Sequence, residues 1–252
     1  MSESGNGAAG TVLVTGGSRG IGSATCRLAA RRGWAVAVNY ARDAAAAEAV
    51  VTAIEAAGGR AMAVQADVAV DAEVRAMFAA IDRGLPPLAG LVNNAGVVDV
   101  ASRVDAMSVE RLQRMFAINV FGSFYCAREA ILRMKARRSG AIVNLSSAAA
   151  KLGGGGQYVD YAAAKGAIDS FTLGLAREVA GEGIRVNAVR PGIIATDIHA
   201  SGGAPDRAAE MAPLVPLKRA GSSEEVAEAI VWLLSDASSY TTGSIVEVTG
   251  GR

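Results

Sequence analysis

Short apolar runs rich in β-branched residues recur along the chain, at 11–15, 35–40, 61–65, 88–93, 141–145, 184–189 and 244–248. Most of the gaps between them carry helical periodicity, as at 20–32, 44–57, 71–83 and 108–137. A run of apolar residues with few charges suits a strand covered on both faces. Strands alternating with helices imply right-handed βαβ crossovers, so this pattern predicts a seven-stranded parallel sheet flanked by helices. With 51% apolar residues in 252, the chain has material for one sizeable core. No Pro/Ser-rich linker or shift of composition divides it. The expected organisation is a loose tail over 1–10 and a single domain over 11–252. Two stretches depart from the rhythm: the glycine run Gly153-Gly154-Gly155-Gly156, and 193–220, which holds Pro205, Pro213 and Pro216. Loops this long in a compact domain usually serve function, and the second is expected to be a substrate lid.

Charge and composition exclude several classes. A net charge of +1 gives no field to gather nucleic acid or an anionic membrane. No apolar run reaches the roughly 18 residues of a membrane span. The first ten residues lack the basic and apolar regions of a secretory signal, so a cytoplasmic protein is expected. Cys26 and Cys126 belong to no metal or redox spacing and read as small buried apolar residues. The basic run 133–138 reads as helix-end cations that suit the helix dipole.

The first strand runs directly into Gly16-Gly17-Ser18-Arg19-Gly20-Ile21-Gly22, and a helix follows. Gly16 allows a sharp turn, Gly20 lets backbone approach a pyrophosphate, and Gly22 permits close packing of helix on sheet. The free N–H groups at the helix start then face the phosphates. The fold expected is therefore α/β, a doubly wound Rossmann-type domain that binds a dinucleotide.

Further along, Tyr161-Ala162-Ala163-Ala164-Lys165 puts a phenol and an ammonium one helical turn apart on one face. A free tyrosine ionises near pH 10. A neighbouring cation favours the phenolate, so Lys165 is expected to draw Tyr161 toward neutral pH. Tyr158 has Ala162 four residues on, lacks such a partner, and is expected to line the substrate mouth.

The segment 15–22, TGGSRGIG, with the Tyr161/Lys165 pair resembles the short-chain dehydrogenase/reductase family, and the resemblance covers essentially 11–252. Within that family it resembles 3-oxoacyl-thioester reductase-like and glucose dehydrogenase-like members. The resemblance implies that the 16–22 loop binds the cofactor through Gly16, Ser18, Arg19, Gly20, Ile21 and Gly22. Asp67, followed by Val68, would meet the adenine. Asn94, Ala95 and Gly96, in an NNAG turn, would lie along the cofactor while Asn93 braces the central strands. Pro191, Gly192, Ile193 and Thr196 match the segment that contacts the nicotinamide carboxamide. Lys165 would also hydrogen-bond the nicotinamide ribose.

Ser147 and Asn119 would complete a Tyr-Lys-Ser-Asn site. Many relatives carry the serine thirteen residues before the tyrosine, whereas Ser147 stands fourteen before and Ser146 fifteen. One extra residue in the glycine run accounts for the offset and leaves Ser147 as the catalytic serine, holding the carbonyl oxygen. An asparagine within an apolar helix is disfavoured by propensity. Asn119 would interrupt the backbone bonding there and hold a water leading from Lys165.

Preference between cofactors rests on the end of the second strand. NAD-preferring relatives carry an acid there, and this chain has Tyr40, eighteen residues after Gly22. The nearest carboxylate, Asp43, is expected to open the next helix. Arg19 and Arg42 suit a 2′-phosphate, so NADP(H) is favoured and NAD(H) stays possible. The expected activity is hydride transfer between nicotinamide and a carbonyl or secondary alcohol, on a small-molecule substrate. Reduction of 3-oxoacyl thioesters and oxidation of sugars both stay open, and a non-catalytic dinucleotide sensor of the same fold is the alternative. His199, alone in the lid, is given no catalytic role. The resemblance further implies a homotetramer paired through helices near 108–137 and 160–181.

Overall fold

The computed structural model describes residues 10–196 and 202–252. The tail before Gly10, His199 and the lid positions 197–201 lie outside the described residues. One sheet takes up all seven strands, in the order β3-β2-β1-β4-β5-β6-β7. These are β1 Thr11–Val14, β2 Ala35–Tyr40, β3 Ala61–Gln65, β4 Leu88–Asn93, β5 Gly140–Leu145, β6 Ile184–Pro191 and β7 Ile245–Val248. Every pairing is parallel. The strand order reverses direction between β1 and β4, so the connections leaving those two strands part and open a crevice at their C-terminal ends.

The long helices are α1 Gly20–Arg31, α2 Ala44–Ala56, α3 Asp71–Gly84, α4 Val109–Phe116 and α5 Gly122–Arg137. They continue with a short α6, Ala149–Leu152, then α7 Val159–Val179, a short α8, Arg207–Met211, and α9 Ser223–Leu234. Alternation along the strands divides the core between two faces. Val12 and Val14 pack with α1, α2 and α9, whereas Leu13 packs with α3, α5 and α7 on the other side. Cys26 and Cys126 are fully buried, one in each layer, as expected of small apolar residues. Burial pushes the Cys126 thiol up to about 12, which keeps it protonated and inert.

The helix expected over 108–137 is not continuous. A π-helical turn, Ala117–Phe121, separates α4 from α5. Inside it, Asn119 Nδ2 donates to the carbonyl of Met115 at 3.0 Å, so a side chain takes an acceptor that a regular helix reserves for backbone. In the run 133–138, Lys135 and Arg137 sit in the last turn of α5 as expected, but Arg133 pairs with Asp82 and Glu129. Among the described residues no helix is long and apolar enough to cross a membrane.

A buried polar thread joins the sheet to α7. Asn93 Nδ2 donates to Asn144 Oδ1 at 2.9 Å and to the Ser123 carbonyl at 3.3 Å. Asn144 Nδ2 donates to Thr172 Oγ1 at 2.9 Å, and Thr172 in turn donates to the Ile168 carbonyl. Asn93 thus braces the central strands, and through Asn144 the brace reaches the helix that carries Tyr161. Asn144→Ala removes two of these buried bonds and is expected to cost about 2–3 kcal/mol, read as a lower urea midpoint at unchanged m.

Candidate active site

The loop after β1 is pinned from both neighbouring strands. Gly16 N–H donates to Asn39 Oδ1 at 3.1 Å and Gly17 N–H to the Asn39 carbonyl at 2.8 Å. From the other side, Asn94 Nδ2 donates to the carbonyls of Thr15 and Gly16 at 2.8 and 3.0 Å. Thr15 Oγ1 accepts from the backbone N–H of both Asn94 and Ala95. Gly16 and Gly20 adopt φ of +61° and +51°, which suits residues without a Cβ. A Cβ on Gly22 would stand 2.3 Å from the Gly16 carbonyl oxygen. The loop therefore folds tightly onto the first turn of α1. That helix starts with no side-chain cap and no acid in its first turn, so its N–H groups are left for an anion. This cradle fits the pyrophosphate of a dinucleotide.

Beyond the loop, the ends of β2 and β3 extend the same edge. Tyr40 is half-buried against the core, and Arg19 and Arg42 are exposed. Neither arginine makes an ion pair or side-chain hydrogen bond among the described residues. Asp43 caps α2 by accepting from Ala46 N–H at 3.0 Å, as expected, and so is engaged elsewhere. Asp67 Oδ1 accepts from Ala69 N–H at 2.9 Å, which shapes the turn after β3, and Val68 is buried behind it.

At the other end of the edge lies a cavity of about 470 Å³. Ser147, Tyr161 and Lys165 line it together with Ile21, Asn94 and Gly96. So do Pro191, Gly192, Ile193 and Thr196, and Gly20 faces Thr196 across the crevice. The two serines are told apart by their partners. Ser147 accepts from Ala149 N–H at 3.1 Å and is the side chain that offsets burial at the Tyr161 phenol, whereas Ser146 is buried and donates to the Lys165 carbonyl. Tyr158 lines the cavity mouth, as its lack of a lysine partner suggested.

The electrostatics of the pair differ from the expectation that Lys165 draws Tyr161 down. Lys165 Nζ donates to the Leu145 carbonyl at 2.7 Å and lies 5.7 Å from the centroid of the Tyr161 ring. Burial raises the phenol above its ordinary value, and the opposing pull comes from Ser147. Burial also lowers Lys165 to about 8, partly offset by the charge of Asp169. The lysine is tied to the end of β5, and the polar influence on the tyrosine comes from the serine.

Asn119 stands one layer behind. Its amide donates to the carbonyls of Val97 and Met115 and accepts from Val97 N–H at 3.2 Å. A Cβ on Gly96 would meet Asn119 Oδ1 at 2.7 Å and Lys165 Nζ at 3.6 Å. Asn119 thus fixes the 96–97 backbone against the lysine and does not line the cavity itself.

Three supports had weak or no signal in the sequence. Asn39, which clamps the glycine loop, reads in the chain as one polar residue at a strand end. Asp160, next to Tyr161, receives a forked pair of bonds from Arg111 at 2.7 and 3.2 Å, with its side chain 0% exposed and that of Arg111 12%. The partners are 49 residues apart, so only the fold brings them together. The third, Arg207, lines the cavity from the lid. No cluster of residues that could hold a metal occurs among the described residues.

A family model described as "Enoyl-(Acyl carrier protein) reductase" matches residues 16–252. The chain is 53% identical to "Uncharacterized oxidoreductase YgfF" of Escherichia coli (strain K12), over 95% of this chain and 98% of that one. It is 42% identical to "3beta-hydroxysteroid dehydrogenase 1" of Eggerthella lenta, over 96% and 92%. To a "3-oxoacyl-[acyl-carrier-protein] reductase" of Synechocystis sp. it is 41% identical, over 95% of each.

A lysine held near 8, against an ordinary 10.5, is one whose charged form the fold disfavours. That cost is present in full below about pH 8 and disappears as pH rises toward 10.5. Lys165→Met is therefore expected to be more stable than wild type at pH 7, by about 1–3 kcal/mol, in dinucleotide-free protein. The advantage should shrink as urea unfolding is repeated at rising pH. A variant less stable at pH 7 would contradict this account of the buried cation.

Proposed function

Because the chain belongs to the short-chain dehydrogenase/reductase family, enzymes acting on CH–OH or C=O groups with a nicotinamide dinucleotide, we propose an NADP(H)-linked carbonyl reductase and alcohol dehydrogenase working through Tyr161, Lys165, Ser147 and Asn119. The observation that carries this reading is that Ser147, Tyr161 and Lys165 line one cavity together, with Lys165 Nζ 5.7 Å from the centroid of the Tyr161 ring. Bound along the strand ends, the dinucleotide supplies or accepts the hydride.

The residues of the chain do the rest. Ser147 and Tyr161 both donate to the carbonyl oxygen, which holds the substrate and stabilises the negative charge that develops there. Tyr161 gives its proton to that oxygen as the alcohol forms. Burial raises the pKa of the phenol in the folded chain, which keeps it protonated and ready to donate at neutral pH. Lys165 stabilises the resulting phenolate, and solvent restores the proton. Asn119 acts from behind as a positioning residue, through the backbone at 96–97. Oxidation of an alcohol follows the same path in reverse.

The phosphates would lie on the N–H groups of the 16–22 loop, the adenine by Asp67 and Val68, and the nicotinamide among Gly96, Ile193 and Thr196. Arg19 and Arg42, exposed and unpaired among the described residues, would meet a 2′-phosphate, and Asp43, the nearest carboxylate after β2, is engaged in capping α2. The substrate is a small carbonyl compound or alcohol; the 3-oxoacyl and hydroxysteroid relatives suggest the class without choosing a member. We read the enzyme as cytoplasmic and as a homotetramer. The exposed Phe121, Phe124 and Leu132 beside α7 supply an apolar pairing face, which light scattering can check.

Tyr161→Phe is expected to bind NADPH as wild type does and to lose turnover by at least about 100-fold, followed by nicotinamide absorbance over a panel of ketones. Wild-type rates would refute the mechanism. Arg42→Ala should weaken NADPH binding about tenfold and leave NADH unchanged, measured by fluorescence titration. Equal affinity of the wild type for the two dinucleotides would overturn the NADP(H) assignment.

A further inference from the structure

Arg207 is a half-buried cation on the wall of the cavity that has no carboxylate partner among the described residues. Other arginines withdrawn from solvent have their donors taken: Arg111 by Asp160, Arg133 by Asp82, Arg190 by Asp169, and Arg185 by four bonds to the Leu233, Leu234 and Ser235 carbonyls and Ser238. The Arg207 guanidinium instead lies 5.1 Å from the centroid of the Tyr158 ring and donates to Gln157 Oε1 at 3.1 Å. A guanidinium has five N–H donors in a rigid fork, and this contact uses one. Gln157 and Tyr158 are themselves fixed, since both backbone N–H groups donate to the Gly154 carbonyl, at 3.1 and 2.8 Å. The cation is thus oriented by an aromatic face and an amide, with donors left over.

The rest of the cavity has the same sign. Arg252 and Lys165 also line it, and no Asp or Glu does among the described residues. Lys165 donates to the Leu145 carbonyl deep in the cavity, whereas Arg207, nearer Tyr158, keeps donors that no described residue takes. Tyr158 immediately precedes α7, three residues before Tyr161, which sets the guanidinium on the wall leading to the reacting oxygen.

We propose that Arg207 is an anion-recognising residue of the substrate pocket, and that the carbonyl substrate carries a carboxylate or phosphate that the guanidinium grips through its free donors. The inference rests on the carbonyl-reductase reading above and adds to it the charge of the substrate. Arg207 is a specificity-determining residue and takes no part in proton or hydride transfer.

The experiment uses the full-length enzyme with NADPH and matched substrates: oxo-acids against their methyl esters, and phosphorylated ketones against the free alcohols. The anionic member of a pair is expected to have at least about tenfold higher kcat/KM, expressed in KM. Arg207→Met should erase that preference while leaving the neutral member within about twofold, and Arg207→Lys should restore part of it. Which pair shows the effect tells carboxylate from phosphate. A wild-type preference for neutral members, or an equal loss on both in Arg207→Met, overturns the proposal. Calorimetric titration of the NADP⁺ complex with straight-chain carboxylates, and with their primary amides, reads the same subsite without turnover. Tighter carboxylate binding that Arg207→Met abolishes supports the subsite even if no carbonyl is reduced, in which case only the reaction assigned above fails. Equal binding of acids and amides overturns the subsite.

Discussion

Parallel pairing is the constraint on which the site depends. When every strand runs the same way, all seven C-terminal ends lie along one edge, and the chain must leave that edge by a loop each time. The glycine turn, the Asn93-Asn94 turn, the serine pair and the Pro191-Gly192 segment are successive exits from it. The reversal of strand order between β1 and β4 keeps the first two exits from closing over one another. Chemistry assembled from positions 16 to 196 is therefore local in space because of a backbone hydrogen-bond pattern laid down in the sheet.

Behind the edge, each reactive group is held by a partner on a different element. Lys165 is tied to the end of β5, the glycine loop to β2 and β4, and the start of α7 to α4 through Asp160 and Arg111. Burial is costly for polar and charged groups, and these contacts offset the cost only where the geometry is satisfied. Asn93 Oδ1, Asp169 Oδ1 and Arg190 Nε lack partners, all near the strand ends or the helix that carries the lysine. These unmet atoms lie beneath the cavity and not on its wall, and the aliphatic layers on either side of the sheet carry the stability.

What could be read directly from the chain was whatever depends on local spacing. Runs of Val, Ile and Ala mark buried strands, and the i,i+4 relation of Tyr161 and Lys165 survives any helix. The glycine loop carries its own backbone demands, and of the two serines Ser146 is the one that is buried. What escaped depends on contacts between distant residues. Arg111 and Asp160 look like ordinary surface charges until the fold buries them together. The interruption expected at Asn119 is present as a π-helical turn, although its length could not be read from an apolar periodicity that runs nearly unbroken through it. The direction in which Tyr161 shifts also needed the structure, because it turns on desolvation and on where the Lys165 ammonium is aimed.

The glycine run 153–156 bears on how such an enzyme can change over evolutionary time. A side chain at Gly153, Gly155 or Gly156 would meet nothing within 4 Å, while one at Gly154 would strike the Tyr158 carbonyl at 2.7 Å. Three positive-φ positions turn the chain with few contacts to its surroundings. Length can therefore change here without moving either Ser147 at the exit of β5 or Tyr161 on α7, which stand fourteen residues apart. The same segment delivers Gln157 and Tyr158 to the mouth of the cavity. Insertions and deletions at one slack point thus reshape the pocket while the reacting groups keep their places, which lets substrate range drift under selection without the catalytic apparatus being rebuilt.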